Sequence, residues 1–231
     1  MPLSDAEFRD YIRNRAQRVK NPSPRTPNRE TNFNNADNIG RQLQEDGHKV
    51  WGWVFYRCTY ESDEAWAEFM RRLRYYIEDT LRFDNALDMQ ASLDYQVFED
   101  RERLDMAHPS AVLEHFAQWV ATAPQQEQGE GKYPARSQRY NYCLHVDQEA
   151  LQSIVNGPTP PADNLGNGFV NLVCRRVLGG MRPEHTEGRE ERDHCWMRIT
   201  YQDLMTTWYN QFRVQGSWGT EYRVPPEVAR P

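Results

Sequence analysis

"VWGWVFYRCTYESDEAWAEFMRRLRYYIEDTL", residues 50–81, changes its hydrophobic period partway, and that change decides how the chain is built. From Val50 to Thr59 apolar side chains occupy both faces of an extended segment: Val50, Val54 and Tyr56 on one, Trp51, Trp53 and Phe55 on the other. A strand apolar on both sides is covered on both. Glu61, Ser62, Asp63 and Glu64 then make a helix start, with carboxylates at the positive end of the dipole. Trp66, Phe69, Met70, Leu73 and Ile77 follow at i, i+3, i+4, i+7 and i+11, which is a helical stripe. The spacing predicts a strand and a helix whose aromatics are mostly core.

The same grammar recurs downstream. "SLDYQVFED" alternates as a strand through Leu93, Tyr95 and Val97. Pro109 opens a helix with the stripe Val112, Leu113, Phe116, Trp119 and Val120, ending before Pro124. "RYNYCLHV" is a third strand with Tyr140, Tyr142, Leu144 and Val146 on one face, and Asp147 caps a helix carrying Leu151, Ile154 and Val155. "FVNLVCRRV" and "CWMRI" add two strands across a charged loop, and Thr200 with Asp203 introduces a last helix through Leu204, Trp208 and Phe212.

Strand–helix units of this length predict an α+β fold. The expected form is a ferredoxin-like sandwich, with helices packed on one face of a mainly antiparallel sheet. Upstream, Ser4 and Glu7 form a capping box ahead of the stripe Phe8, Tyr11, Ile12 and Val19, an amphipathic helix over residues 5–19. Pro22, Pro24 and Pro27 forbid its continuation. The chain thus divides into a basic amphipathic helix at 1–20, a Pro/Asn/Arg-rich linker at 21–48, a single α+β domain at 49–214, and a Gly/Pro-punctuated tail at 215–231. Trp218 and Tyr222 can anchor that tail.

Among 231 residues the net charge is −6, and the pI of about 5.6 argues against a general nucleic-acid binder. Residues 1–30 carry +3 and the remainder −9, so the basic character is confined to one end. Cys58, Cys143, Cys174 and Cys195 show no CxxC and no framework spacing, and three of them fall in strands, where Cys behaves as a small buried hydrophobe. The charged start lacks the apolar core of a secretory signal. No apolar run approaches the roughly 18 residues that span a bilayer. A reduced cytoplasmic protein without a membrane span is the expectation.

Chemistry is written more faintly. "FEDRERLDMAHPS" concentrates carboxylates, arginines and a histidine in one connection. Asp100, Arg101 and His108 there, with His145 on the third strand, are the candidates for acid–base work. Capping of turns and of the helix start is the competing role for Asp100 and His108. Trp53, Tyr56, Arg57 and Tyr142 are the candidate ligand-binding walls. His185, Asp193, His194, Cys195, His145 and Cys143 are zinc-competent types, but their spacing matches no closed zinc pattern, so no metal and no cofactor is expected. There is no GxSxG, P-loop or GxGxxG, and a Cys58 or Cys143 nucleophile has little support.

"WGWVFYRCTYESDEAW", "VFEDRERLDMAHPSAVLEHFAQWV" and "RYNYCLHVDQEAL", with "CWMRITYQDLMTTWY" as a last block, resemble a widespread group of uncharacterised intracellular proteins of ascomycete fungi. That resemblance implies origin and compartment and carries no mechanism.

The leading expectation is therefore an α+β module that binds a protein partner or a small molecule, as a homodimer through residues 5–19. The alternative is a small enzyme without a recognised motif, its polar site around Asp100 and His108 between sheet and helices. A third reading sends the Arg-rich arm to nucleic acid, and the interruptions Glu7 and Asp10 weaken it.

Overall fold

The computed structural model describes residues 23–27, 34–162, 167–175, 195–214 and 216–231. The expected helix at 5–19, with the dimer contact assigned to it, lies outside them, as do His185, Asp193 and His194.

The chain is a mixed α+β fold with one six-stranded sheet flanked by helices. Its strands are β1 (Val54–Arg57), β2 (Gln96–Phe98), β3 (Tyr142–Val146), β4 (Phe169–Cys174), β5 (Trp196–Thr200) and β6 (Val228–Ala229), in the order β2-β1-β3-β4-β5-β6. Parallel pairs are β1–β2, β1–β3 and β5–β6; only the pairings of β4 with β3 and with β5 are antiparallel. The sheet is thus mixed rather than mainly antiparallel. A ferredoxin-like sandwich would set the second strand antiparallel beside the third. Here β2 lies parallel beside β1, because a helix returns the chain to the same end between β1 and β2 and again before β3.

The helices of the described chain are α1 (Asn35–Asp46), α2 (Asp63–Phe83), α3 (Arg101–Leu104), α4 (Pro109–Val120), α5 (Ala123–Gln128), α6 (Gln138–Asn141), α7 (Gln148–Val155), α8 (Tyr209–Gln211) and α9 (Ser217–Glu221). A π-helical turn, Leu204–Trp208, leads into α8. The helices cover both faces of the sheet, not one. Successive strand residues point to opposite sides. Phe55 meets Phe69 of α2, whereas Tyr56 places its hydroxyl 2.8 Å from His115 Nδ1 of α4. All four residues of β1 are buried, as its two-sided apolar pattern requires.

Residues 35–46, expected as part of a linker, form α1. Asn34 caps it by accepting the Asp37 N–H at 3.1 Å, and Gly47 closes it at φ +61°. Ala36 and Ile39 are its buried contacts, too few for a stripe to stand out among Asn, Gln and Arg. Arg25 reaches Asp37 at 2.9 Å and the carbonyl of Asn85 at 2.9 Å, so residues 23–27 are tied to the same body. The tail is likewise part of the domain: Trp218 and Tyr222 are buried, and Ala229 pairs with Ile199.

Candidate functional site

Two chain segments end side by side where β1 and β3 run out in parallel, with Tyr56 beside His145 and Arg57 beside Val146. Beyond them β1 continues as Cys58, Thr59 and Tyr60, and β3 as Asp147 into α7. Both connections turn to the α2 side of the sheet, where Arg72 of α2 binds the carbonyls at the end of α7. The connection from β2 goes to the opposite side, passing over these ends as residues 105–108 before it enters α4. Met106 N–H donates to the Cys58 carbonyl at 3.1 Å. The divergence leaves a cavity of about 390 Å³, with Thr59, Asp105, His108, His145, Asp147 and Glu149 among its lining residues.

The charges around it have one sign. Glu61, Asp105, Asp147 and Glu149 contribute carboxylates, and no Lys or Arg is among the described lining residues. Arg198 reaches Glu149 from β5 at 2.5 Å and Arg101 stands 3.9 Å from Asp105, so two of the four have an arginine beside them. Asp147 has two duties: Oδ1 accepts the Ala150 N–H at 2.8 Å as the cap of α7, and Oδ2 accepts from the Asn171 amide at 2.9 Å.

His145 is 1% exposed, and both ring nitrogens are engaged. Nε2 lies 2.8 Å from the Ala107 carbonyl, and Nδ1 lies 3.0 Å from the Asn171 amide nitrogen. Burial holds the ring neutral by lowering its pKa below the ordinary histidine value, with Asp147 opposing that shift. Burial pushes the Cys58 thiol far above its ordinary value, with Asp147 and Asp105 adding to the shift, so it does not supply a thiolate at neutral pH. The lining is therefore suited to holding a group rather than to attacking one.

Of the four acid–base candidates the structure brings two together, His108 and His145, on one cavity. His108 also caps α4, its Nδ1 accepting from the Ser110 N–H at 3.3 Å. Asp100 caps α3 by accepting the Arg103 N–H at 3.3 Å, and Arg101 faces solvent 3.9 Å from Asp105. Neither lines the cavity, so the capping role holds for Asp100.

The candidate ligand walls Trp53, Tyr56, Arg57 and Tyr142 are all buried, and none lines the cavity. Trp53 donates its indole N–H to the Leu204 carbonyl at 2.7 Å, and Tyr142 packs on Phe212 and Trp218. The Arg57 guanidinium sits over Tyr60 and Trp66 and bonds to Asp63 at 2.5 Å.

Asp105 belongs to the polar connection that the sequence singles out; Thr59, Glu61, Asp147, Gln148 and Glu149 are cavity residues that sequence reasoning missed. Their one legible signal was position, directly after strands β1 and β3. All four cysteines are buried. Among the described residues no group of three His, Cys, Asp or Glu is placed to hold a metal ion, and no helix is long and apolar enough to cross a membrane.

A second groove of about 670 Å³ lies between α1, the π-helical turn with α8, and α9. Its side-chain amides are largely spent on one another. Gln42 donates to Asn210 at 2.9 Å and Asn210 to Asn35 at 3.0 Å.

Comparison with protein-family models, curated proteins and solved structures returns no match.

Proposed function

We propose that the chain is a binding module whose site is the cavity at the carboxyl ends of β1 and β3, and that its ligand is a small organic cation. The observation that carries this reading is the location of a 390 Å³ cavity where the strand connections part to opposite sides of the sheet. Open α/β sheets place ligands in the crevice outside the carboxyl ends of such strands. The ligand's sign follows from four carboxylates against no lysine or arginine among the described lining residues, with arginines reaching two of the four from outside it. Met106 adds an apolar edge: it is 90% exposed and held at φ +56°, a conformation that costs a side chain about 1–3 kcal/mol. An ammonium or guanidinium carried on a short hydrocarbon chain suits both features. A homodimer built on residues 5–19, a cytoplasmic location and kinship with the ascomycete group belong to the same proposal, supported by the sequence pattern.

Calorimetric titration of the full chain with spermidine and with agmatine tests the site, with citrate as the anionic control. Saturable binding of a cation, weakened at least tenfold in the double variant Glu61→Gln, Asp105→Asn, is expected. Equal binding of citrate, or cation binding indifferent to the double variant, would overturn the reading.

A further inference from the structure

His145 lines the cavity and is bonded at once to Ala107, which also lines it, and to Asn171 of β4. Because the Ala107 carbonyl can only accept, the neutral ring carries its proton on Nε2 and leaves a lone pair on Nδ1. The Asn171 amide fills that lone pair with one N–H and gives the other to Asp147 Oδ2. One imidazole thereby fixes both the 105–108 loop and, through Asn171, the carboxylate across from it. Asn171 is 1% exposed, yet its own Oδ1 has no hydrogen-bond partner among the described residues. A buried carbonyl oxygen left bare is a costly feature that calls for an explanation.

We propose that His145 is the positioning residue of the cavity, and that a proton on its Nδ1 turns the Asn171 amide over and releases Asp147 from the sheet. With Nδ1 protonated, two N–H donors face each other and repel. A half-turn of the amide replaces that clash with an Nδ1–H···Oδ1 bond and gives the bare oxygen its partner. The same half-turn brings Oδ1 against Asp147 Oδ2, where two acceptors meet, so the carboxylate leaves Asn171.

Other groups set the balance. Asp147 Oδ2 lies 3.8 Å from Nδ1 and favours the charged ring, while His108 opposes it. Tyr56 is the register neighbour on β1, with His115 of α4 bonded to its hydroxyl, and Cys58 lies further along the same strand. Asp105 and Glu149 share the cavity, and Arg198 is the register neighbour of Asn171 on β5. Burial outweighs the carboxylate, so the ring is neutral at neutral pH and the rearrangement belongs to pH values below the ordinary histidine range. Its consequence for a ligand rests on the cation reading above: the charged ring weakens cation binding as pH falls.

The rearrangement is read without ligand, by imidazole and side-chain amide ¹H–¹⁵N spectra of the labelled full chain from pH 7.5 to 5. The expected result is an Nε2–H tautomer for His145 at pH 7.5, with the Asn171 NH₂ signals shifting at the same midpoint as the ring. Asn171→Asp puts a carboxylate against Nδ1–H and is expected to raise that midpoint by at least about one unit, which loss of packing alone does not do. Three results each overturn the proposal: a proton on Nδ1 at pH 7.5, Asn171 signals that stay put while the ring titrates, or unfolding before the ring titrates. If the aspartate variant fails to fold, the unaltered chain decides alone. Spermidine titrations at pH 7.5 and 5.5 then separate the two ideas. A cation that binds equally at both pH values breaks the link to the ligand. No cation binding at all overturns the cavity's assignment and leaves the amide rotation standing.

Discussion

The Arg139 guanidinium is wholly buried and donates to the Asp94 carboxylate at 2.7 Å, joining the start of β3 to the approach of β2. The same fork makes a two-point pair with Glu127 at 2.7 Å and reaches the Asp94 carbonyl at 2.6 Å. One cation thus holds α5, α6 and the segment before β2 together.

Removing it leaves Glu127, whose side chain is only 17% exposed, without its partner. Loss of one member of a buried pair costs about 3–5 kcal/mol. Arg139→Ala is expected to lose that much in urea unfolding. Arg139→Lys should recover only part, because an ammonium cannot reproduce the two-point contact. A lysine variant as stable as the parent would show that charge alone holds this junction.

Gly52 lies beside the same junction at φ +117°, and a Cβ built there would come 2.4 Å from the Asp94 carbonyl oxygen. The obstacle is backbone, so it cannot swing aside. Gly52→Ala should lose about 1–3 kcal/mol from conformation alone, with the clash in addition. Thermal unfolding of Gly52→Ala beside Gly40→Ala, where a Cβ meets nothing within 4 Å, isolates the effect.

Arg72 acts at a helix end. It is buried on α2 and bonds to the carbonyls of Ile154, Val155, Gly157 and Pro158, where α7 terminates, while Glu68 holds its Nε at 2.7 Å. Bonds to a charged donor contribute about 1.5–3 kcal/mol, and here they satisfy carbonyls that a helix end leaves unpaired. Arg72→Met should destabilise by that order and speed hydrogen exchange over residues 151–157. Unchanged exchange there would mean that α7 ends firmly without the guanidinium.

Elements whose pattern is local were legible in the sequence. The stripe from Trp66 to Ile77 is α2, Pro109 does open α4, and the two-sided strand at Val54–Arg57 is central and buried. Pairing was not legible, because period-2 alternation reports a strand without naming its neighbour or its direction. Composition misled at α1, whose cap and two small contacts matter more than its polar residues. Aromatic density misled about the ligand walls, since Trp53 and Tyr142 are filled in by Leu204, Phe212 and Trp218, all far away in sequence. The cavity needed topology. Asp147 reads as a helix cap, which it is, and only the pairing of β3 with β4 puts its other oxygen beside Asn171, while the parallel placement of β3 against β1 sets it on the same cavity as the 105–108 loop.

His145 also makes the fold sensitive to mild acid. Its folded pKa lies below 6.5, so between that lower value and 6.5 the unfolded chain holds a proton that the folded chain does not. Stability therefore rises with pH through this window and is lost as pH falls below 6.5, with a slope from this group of at most about 1.4 kcal/mol per pH unit. His48, also kept neutral by burial, bends the curve the same way. Glu68 works in a separate window. Arg71 and Arg72 hold its carboxylate down at about 2, so its contribution is complete above pH 4.5 and lost on approaching pH 2. Urea unfolding at half-unit steps from pH 7.5 to 5 should show a falling midpoint. His145→Gln, which keeps a donor and an acceptor without a titrating ring, should flatten the fall without abolishing it. A curve with the same slope in that variant would assign the acid sensitivity to His48 instead.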